Sequence, residues 1–382
     1  MLRSAMIFAS VMIDHPFLIM SPNIGHNRGE TKLPVPSKLH WYNPTQDNNR
    51  GRIATMAATG NSPIIDIHAH LSPAAPEALI GPHRTIDLPT RAGGGLSDKS
   101  KAAVLSDVKV RIADMDTLGI DMTALTPGPD SNFYKEPAAA GLAIARVIND
   151  YVAELVARHP DRLIGLGVLP MQDAAKSVAE MERGVRDLDL RGFRLATNIN
   201  GMELDDPALE DVYTAAEELD TLLFTHPGGF TQPQRLGQFH LNNVIGNPLD
   251  STLTVTRLVF GGVLERHPQL KVFISHGGGY FPFYFGRFDH AWEARADCRE
   301  NISRPPSEYL KQLYFDTVVF KPEMIAFLIA TVGIDKVMMG TDRPYDMGEE
   351  DPIGLVEAVP GLIDADRQAI LGGNAARLLK LN

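Results

Sequence analysis

The stretch Ile64-Ile65-Asp66-Ile67-His68-Ala69-His70 is an apolar run that ends in two histidines. Residues two positions apart on a strand lie on the same side, so the side chains of His68 and His70 point in one direction. At the end of a strand in a parallel β/α barrel, that side is the barrel mouth, where such folds place their active sites. Two imidazoles at one mouth can bind one metal ion together.

Three more polar side chains follow apolar runs further along the chain. His226 follows Leu222-Leu223-Phe224-Thr225, His276 follows Val272-Phe273-Ile274-Ser275, and Asp342 follows Val337-Met338-Met339-Gly340-Thr341. A divalent metal needs three or four nitrogen or oxygen ligands that converge, with one position open for chemistry. If each were considered alone, His226 would be expected to have a structural role and Asp342 to cap the N-terminus of a helix. In the company of the histidine pair, both are predicted metal ligands, and Asp342 can also accept a proton.

His276 has two open roles. It begins a Gly-Gly-Gly turn, in which the backbone either approaches another group closely or adopts positive φ angles. An imidazole at this position is either a fourth nitrogen ligand or an acid–base group beside the metal, because histidine exchanges protons near neutral pH.

The remaining apolar runs predict the fold. Eight of them read as strands, at 64–68, 121–126, 163–168, 192–196, 221–225, 271–275, 312–316 and 336–341. Segments with helical periodicity lie between them, for example 137–158 and 174–188, and this alternation is typical of repeated βα units. We therefore predict an α/β protein with a (β/α)8 TIM barrel of the metal-dependent hydrolase type over 61–382. Residues 1–60 lack either hydrophobic period and are predicted to be an irregular N-terminal leader.

The composition excludes several classes of partner. The net charge of -11 argues against nucleic acid, since binding phosphates requires a basic face. The apolar stretch at residues 5–12 is far shorter than the ~20 residues that span a bilayer, so no membrane partner is expected. Cys298 is the single cysteine, which excludes an internal disulfide and predicts a reducing compartment, the cytoplasm.

The motifs taken together resemble the amidohydrolase superfamily, and within it the branch of aminocarboxymuconate-semialdehyde decarboxylase and related aromatic-acid decarboxylases. The resemblance covers about 64–379. It rests on Asp66-Ile67-His68-Ala69-His70, Arg111-Ile112-Ala113-Asp114-Met115-Asp116, Gly165-Leu166-Gly167-Val168-Leu169-Pro170-Met171-Gln172, Phe224-Thr225-His226-Pro227, Ser275-His276-Gly277-Gly278-Gly279-Tyr280-Phe281-Pro282-Phe283, Gly340-Thr341-Asp342-Arg343-Pro344 and Gly373-Asn374-Ala375-Ala376-Arg377-Leu378-Leu379.

This resemblance implies one divalent metal ion per chain, with zinc the expected ion and manganese or iron the alternatives. The implied ligands are His68, His70, His226 and Asp342. His276 is implied to be the acid–base residue beside the metal. Strand four carries Arg194 where a binuclear centre would have a carbamylated lysine, which favours a mononuclear site.

The resemblance also implies how substrate is held. Arg287 matches an arginine that reaches across a dimer interface to the substrate carboxylate of the neighbouring subunit, so a homodimer or higher homo-oligomer is expected. The segment before Arg111 carries Lys99 and Lys101 in place of the family's arginines, and these lysines are candidate helpers in binding the carboxylate. After Asp342 the usual Tyr-Pro-Phe is replaced by Arg343-Pro344-Tyr345, which predicts an altered pocket.

Two enzymatic functions follow from these residues. The leading prediction is a metal-dependent, non-oxidative decarboxylase of an unsaturated or aromatic carboxylic acid, with His276 and Asp342 as catalytic residues. The alternative is a hydrolase or hydratase of the same superfamily that acts on a lactone, an amide or a C–C bond, because one barrel supports many reactions. A binding protein with a structural metal is disfavoured, since structural zinc sites are usually closed and rich in cysteine.

Overall fold

A computed structural model describes residues 62–71, 80–85, 103–104, 106–128, 133–230 and 233–381. The described residues belong to one compact unit. The predicted leader at 1–60 lies outside the described residues, as do Lys99 and Lys101. Among the described residues, no helix is both long enough and apolar enough to cross a membrane.

Eight parallel strands form one sheet in which chain order and spatial order are the same. They are β1 (Ile65–Leu71), β2 (Met122–Pro127), β3 (Leu163–Val168), β4 (Gly192–Leu195), β5 (Leu222–Thr225), β6 (Lys271–Ile274), β7 (Leu313–Asp316) and β8 (Val337–Met338). Most are buried along their whole length, because helices cover the outer face of the sheet and side chains fill the inside.

Backbone hydrogen bonds between β1 and the segment after β8 close the sheet into a barrel. The Ile67 N–H donates to the Met339 carbonyl at 3.1 Å, and the His70 N–H donates to the Arg343 carbonyl at 2.8 Å. In the other direction, the Asp342 N–H donates to the His68 carbonyl at 2.7 Å. This closure brings the first and the last strands together, and with them the side chains at their ends.

Helices connect successive strands. The longer ones are α1 (Val108–Leu118), α2 (Ala138–Arg158), α3 (Ala174–Asp187), α4 (Glu210–Glu218), α5 (Asn247–Phe260), α6 (Phe281–Ala294) and α7 (Pro322–Val332). Short helices lie at Val263–Arg266, Pro306–Tyr309, Pro352–Glu357, Asp364–Gln368 and Asn374–Leu378, and a small antiparallel hairpin pairs Asn198–Ile199 with Met202–Glu203. Gly119, at φ 73°, ends α1, and the Asp107 carboxylate caps its first turn.

The predicted barrel is confirmed. Seven strands lie within a few residues of their predicted bounds, while the last strand is shorter than the predicted 336–341. Its ladder ends at Met338 because the N–H groups of Thr341 and Asp342 turn to the His68 carbonyl, and Asp342 adopts a φ of 57°. The chain therefore leaves the strand geometry where Asp342 enters the mouth.

Phe193 on β4 shows how tightly the outer layer packs on the barrel. Its ring fills the space that the absent side chains of Gly167 and Gly184 leave, so a Cβ at Gly184 would lie only 2.6 Å from the ring. We expect Phe193→Ala to lower the free energy of unfolding by about 3–5 kcal/mol, because it opens a cavity that these glycines cannot fill. Urea denaturation of both proteins measures this loss.

The control for Phe193 is Phe239→Ala, since the Phe239 side chain is 85% exposed. We expect the control to change the free energy of unfolding by less than about 0.5 kcal/mol. Equal effects of the two substitutions would contradict the packing described for Phe193.

Candidate metal centre

Five predicted site residues meet at the mouth of the barrel. His68 and His70 are on β1, His226 follows β5, His276 follows β6, and Asp342 follows β8. The closest ring pair is His70 and His226, with centroids 4.6 Å apart. The side chains at these strand ends therefore lie close together in the structure, as the sequence pattern predicts.

The Asp342 carboxylate lies at the centre of the imidazoles. Its Oδ1 is 2.8 Å from His70 Nε2, 3.3 Å from His68 Nε2 and 3.7 Å from His226 Nε2. Its other oxygen, Oδ2, is 3.5 Å from His276 Nε2. All four histidines thus turn an Nε2 atom toward one carboxylate.

Two four-residue ligand sets are compatible with these positions. Donor atoms of His68, His226, His276 and Asp342 all lie within 4.8 Å of one another. His70 Nε2 lies 3.2 Å from His68 Nε2 as well as close to Asp342, so it can take the place of His276 in the set. Three histidines and one aspartate fit a single divalent metal ion in either arrangement.

Buried nitrogen atoms indicate that this site fits a metal. His226 Nε2 is buried and has no hydrogen-bond partner among the described residues, and its other ring nitrogen contacts the Pro227 carbonyl at 2.6 Å. A buried polar atom without a partner is costly in free energy. Coordination of a cation by Nε2 would remove this cost, and the neighbouring carboxylate would balance the charge.

Burial and charge act in opposite directions on the pKa values of this cluster. Burial lowers the pKa of His68, but the carboxylates of Asp316 and Asp342 outweigh this effect and raise the pKa to about 10. Burial lowers the pKa of His70 to about 4, and it holds the pKa of His226 well below its ordinary value. Burial alone would raise the pKa of Asp342, yet the imidazoles around its carboxylate hold it well below its ordinary value. Asp342 is therefore ionised and ready to bind a cation.

The turn after β6 places His276 in an uncommon backbone conformation. His276 has a φ of 56°, and Gly277, Gly278 and Gly279 have φ angles of 58°, 80° and 65°. A Cβ at Gly279 would lie 2.2 Å from the Pro248 carbonyl oxygen, so the turn packs closely on α5. Residues other than glycine rarely adopt such backbone angles, which explains the run of three glycines in the sequence.

Several residues without a predicted role hold the strand ends in place. Asp66 accepts from the Thr341 hydroxyl at 2.6 Å and from the His68 N–H at 3.0 Å, and burial raises its pKa to about 6. A guanidinium N–H of buried Arg111 donates to the His70 carbonyl. Asp316, at the end of β7, binds His68 Nδ1 at 2.7 Å. Asp316 follows the apolar run Leu313-Tyr314-Phe315, so the strand-end pattern is the signal that could have identified it.

Arg343 replaces the expected tyrosine and has a structural partner. Its guanidinium binds the Asp114 carboxylate on α1 at 2.7 and 3.1 Å, and it also binds Glu350 at 2.8 Å. Tyr345, two residues further on, lies with its ring centroid 4.9 Å from that of His70. The aromatic side chain beside the site thus comes from Tyr345. Arg343 instead links the segment after β8 to α1 through its ion pair with Asp114.

The other predicted residues lie apart from this cluster or outside the described range. Arg287 is on α6, exposed, with no ion pair or hydrogen bond to any described residue. Lys99 and Lys101 are not described. Arg194 is fully buried and donates to the His226 carbonyl at 3.3 Å, so strand four contributes a cation and no carbamylated lysine.

A parallel barrel whose mouth gathers imidazoles around one carboxylate defines the class of metal-dependent barrel enzymes. A family model described as "Amidohydrolase" matches residues 65–381, and the chain belongs to this family, as predicted. The 2-amino-3-carboxymuconate-6-semialdehyde decarboxylase of Dictyostelium discoideum is 36% identical over 277 residues, which cover 72% of this chain and 77% of the relative.

Two further comparisons bear on fold and reaction. The crystal structure of 5-carboxyvanillate decarboxylase from Sphingomonas paucimobilis superposes with a TM-score of 0.73 at 25% identity and covers 84% of this chain and 99% of that one. A 2-keto-4-carboxy-3-hexenedioate hydratase of a Sphingobium strain is 25% identical over 292 residues, 71% of this chain and 80% of the relative. The family therefore includes both decarboxylases and a hydratase.

Proposed function

We propose that this protein is a metal-dependent, non-oxidative decarboxylase of an unsaturated or aromatic carboxylic acid. The observation that carries the proposal is the convergence of four imidazoles on the Asp342 carboxylate at the barrel mouth, with His276 Nε2 3.5 Å from it. The similarity to decarboxylases of a muconate semialdehyde and of a carboxylated aromatic ring supports the class of substrate.

The residues divide into ligands and a proton donor. We assign His68, His70, His226 and Asp342 as metal ligands, because their side chains are almost fully buried. A bound divalent ion supplies positive charge that stabilises negative charge developing on the substrate. His276, with a side chain that is 12% exposed, is the imidazole that substrate can reach, and we assign it proton transfer.

The reaction requires one proton at carbon. When the bond between the carboxylate and its carbon breaks, carbon dioxide leaves and the electron pair stays on that carbon. Imidazolium at His276 delivers the proton that this carbon needs, and solvent then reprotonates the imidazole. No oxidant is required, and no oxygen from water enters the product.

Isotope labelling tests the reaction directly. Candidate aromatic and unsaturated acids are incubated with the metal-loaded protein in D2O and, separately, in H2(18)O. The proposal expects release of carbon dioxide, one deuterium at the carbon that lost the carboxylate, and no 18O in the organic product. Metal-loaded protein that releases no carbon dioxide from any such acid would overturn it.

A hydratase is the second candidate, and the similarity to the hexenedioate hydratase favours it. The same cluster can activate water for addition to a double bond, because Asp342 and His276 are both positioned to accept a proton. In the labelling experiment, 18O in the product without loss of carbon dioxide identifies this reaction.

The identity of the ion and the compartment are finer proposals. We propose zinc, since imidazole and carboxylate donors suit it, although manganese and iron accept the same donors. Metal-depleted protein reloaded with each ion in turn, assayed at equal occupancy, ranks the three. The single cysteine, Cys298, supports a reducing compartment, and we propose the cytoplasm.

We also propose that the chain forms a homodimer through α6 and the start of α7. Large apolar side chains are exposed here: Tyr280, Tyr284, Phe320, Met324 and Phe327. The ring of Phe283 on α6 stacks with that of Phe327 on α7 at 5.7 Å, so the two helices form one face. Exposed apolar clusters of this kind mark interaction sites, and Arg287 on the same helix is available to a neighbouring subunit.

Tyr284→Arg tests the interface, because the Tyr284 side chain is 62% exposed within this face. We expect wild-type protein to be a dimer in size-exclusion chromatography with light scattering, and Tyr284→Arg to be a monomer. Ile363→Arg is the matched control, since Ile363 is 64% exposed elsewhere on the surface. A monomeric wild type would contradict the dimer.

Arg287 acts in the neighbouring site if two impaired variants, one in each subunit, restore activity together. Arg287→Ala should lower kcat/KM by about 10–100-fold, the loss of one charge-assisted hydrogen bond. Co-expression with Asp342→Ala pairs an intact metal site with an intact arginine from the other chain. Activity of this mixture no higher than that of Arg287→Ala alone would exclude the arrangement.

A further inference from the structure

Asp316 at the end of β7 connects two parts of the site that come from different strands. Its Oδ2 atom binds His68 Nδ1 at 2.7 Å and accepts from the His276 N–H at 3.0 Å. Its Oδ1 atom accepts from the Gly277 N–H at 2.8 Å and from the Val318 N–H at 3.1 Å. The side chain is fully buried, and four donors surround its two oxygens.

The contact with His68 determines which ring nitrogen faces the metal site. An ionised carboxylate only accepts hydrogen bonds, so His68 must carry a proton on Nδ1. The opposite nitrogen, Nε2, lies 3.3 Å from Asp342 Oδ1 and is the atom that can bind a cation. Carboxylates that bind the second nitrogen of a ligand histidine in this way fix its tautomer and its ring orientation.

The contacts with the backbone hold the turn that carries His276. Two successive N–H groups, of His276 and Gly277, point at the same carboxylate. Both residues have positive φ angles, which is unfavourable for His276 because it has a Cβ. Successive N–H groups in such a turn form a concave anion site, and here the anion is the side chain of Asp316.

We propose that Asp316 is a positioning residue that couples the metal ligand His68 to the acid–base group His276. One carboxylate sets the tautomer of the first and the backbone position of the second, so the metal and the proton donor are held at a fixed separation. This inference rests on the proposed function of His68 and His276, and it adds a residue that touches neither metal nor substrate.

Asp316→Asn is the sharpest test. It keeps the shape of the side chain but replaces one of the two acceptor oxygens by an amide nitrogen, which donates. If the amide nitrogen faces His68 Nδ1, it opposes the His276 N–H and forces the His68 proton onto Nε2. If the amide nitrogen faces the other way, it opposes the N–H groups of Gly277 and Val318. Neither orientation of the asparagine satisfies all four donors.

The expected results separate positioning from simple loss of stability. Mn2+ and Zn2+ should bind to Asp316→Asn about 10–100-fold more weakly than to wild type, measured by titration calorimetry without substrate. In assays at saturating metal, kcat should fall while KM stays within about twofold. Glu180→Gln is the matched control: this glutamate is also fully buried and binds Asn149 and Arg183, far along the chain from the site. It should leave metal affinity unchanged.

Nitrogen-15 NMR of wild-type histidines keeps the inference testable if Asp316→Asn does not fold. His68, assigned by its loss in His68→Gln, should carry its proton on Nδ1 in metal-free and metal-loaded protein. A His68 without a proton on Nδ1, or a folded Asp316→Asn with unchanged metal affinity and kcat, would overturn the inference. A wild type that binds no metal would instead refute the proposed function, while the metal-free spectrum still shows whether His68 Nδ1 carries a proton.

Discussion

Asp342→Ala is expected to contain far less metal than wild type and to lose activity by more than about 10³-fold. Among the residues that the structure describes, Asp342 is the one carboxylate that faces all four imidazoles, with oxygen–nitrogen distances from 2.8 to 3.7 Å. Without it, the site keeps its nitrogen donors but loses the negative charge that balances a dication. A metal contributes several kcal/mol to charge stabilisation, and each 1.36 kcal/mol corresponds to a tenfold change in rate.

Plasma mass spectrometry of metal-replete protein and a carbon dioxide assay measure the two effects of Asp342→Ala. Circular dichroism establishes that the variant is folded. Asp364→Ala is the control, because the Asp364 side chain is 98% exposed and its partner Arg367 lies on the same short helix. If Asp342→Ala retained a full complement of metal, the carboxylate would not be a ligand, and the assignment of the centre would be wrong.

The strand ends could be predicted from the sequence because burial on both faces leaves a simple pattern. A strand inside a barrel is apolar throughout, so the first ionisable residue at its C-terminal end marks the mouth. This rule located His226, His276 and Asp342, and the alternation within β1 added the histidine pair. It applies equally to Asp316, but nothing in the sequence distinguishes a residue that binds a ligand histidine from one that binds the metal itself.

Other parts of the site depend on contacts that no local pattern encodes. Arg343 differs from the family's tyrosine, and its pairing with Asp114 joins residues 229 positions apart. The replacement at Arg343 is visible in the sequence and indicates an altered pocket. Its physical reason, the pairing with Asp114, is visible only in the folded structure. The same is true of Asp66 and Thr341, whose hydrogen bond joins β1 to the segment after β8 across 275 positions.

The proposed choice of His70 over His276 as a ligand draws on the structure as well as on the sequence. From the sequence, His276 is either a fourth imidazole ligand or an acid–base group. Their positions near Asp342 are similar, with His70 Nε2 at 2.8 Å and His276 Nε2 at 3.5 Å. Exposure supports the proposed assignment of His70 as the ligand, because the His70 side chain is fully buried whereas that of His276 is 12% exposed. A group that delivers a proton to substrate must be reachable from the pocket.

His276→Asn is expected to lower kcat by about 10²–10⁴-fold while the metal content stays that of wild type. Proton transfer from a positioned side chain contributes a factor of this size, and an amide cannot replace it. Asparagine is preferred to alanine here because it tolerates the left-handed backbone that His276 adopts at φ 56°. The strained turn and its contacts with Asp316 are then preserved, so the change isolates the imidazole.

Metal analysis, kcat and KM of His276→Asn are measured together with those of His70→Asn. We expect His70→Asn to lose metal and His276→Asn to keep it, with KM little changed in the latter. His240→Asn, at an exposed histidine outside α6 whose φ is also 56°, should behave as wild type. The opposite result, metal lost with His276→Asn and retained with His70→Asn, would assign His276 to the metal together with His68, His226 and Asp342, the set whose donor atoms lie within 4.8 Å of one another. Proton delivery would then require another group at the mouth, and Tyr345, whose ring centroid is 4.9 Å from that of His70, would be the first to test.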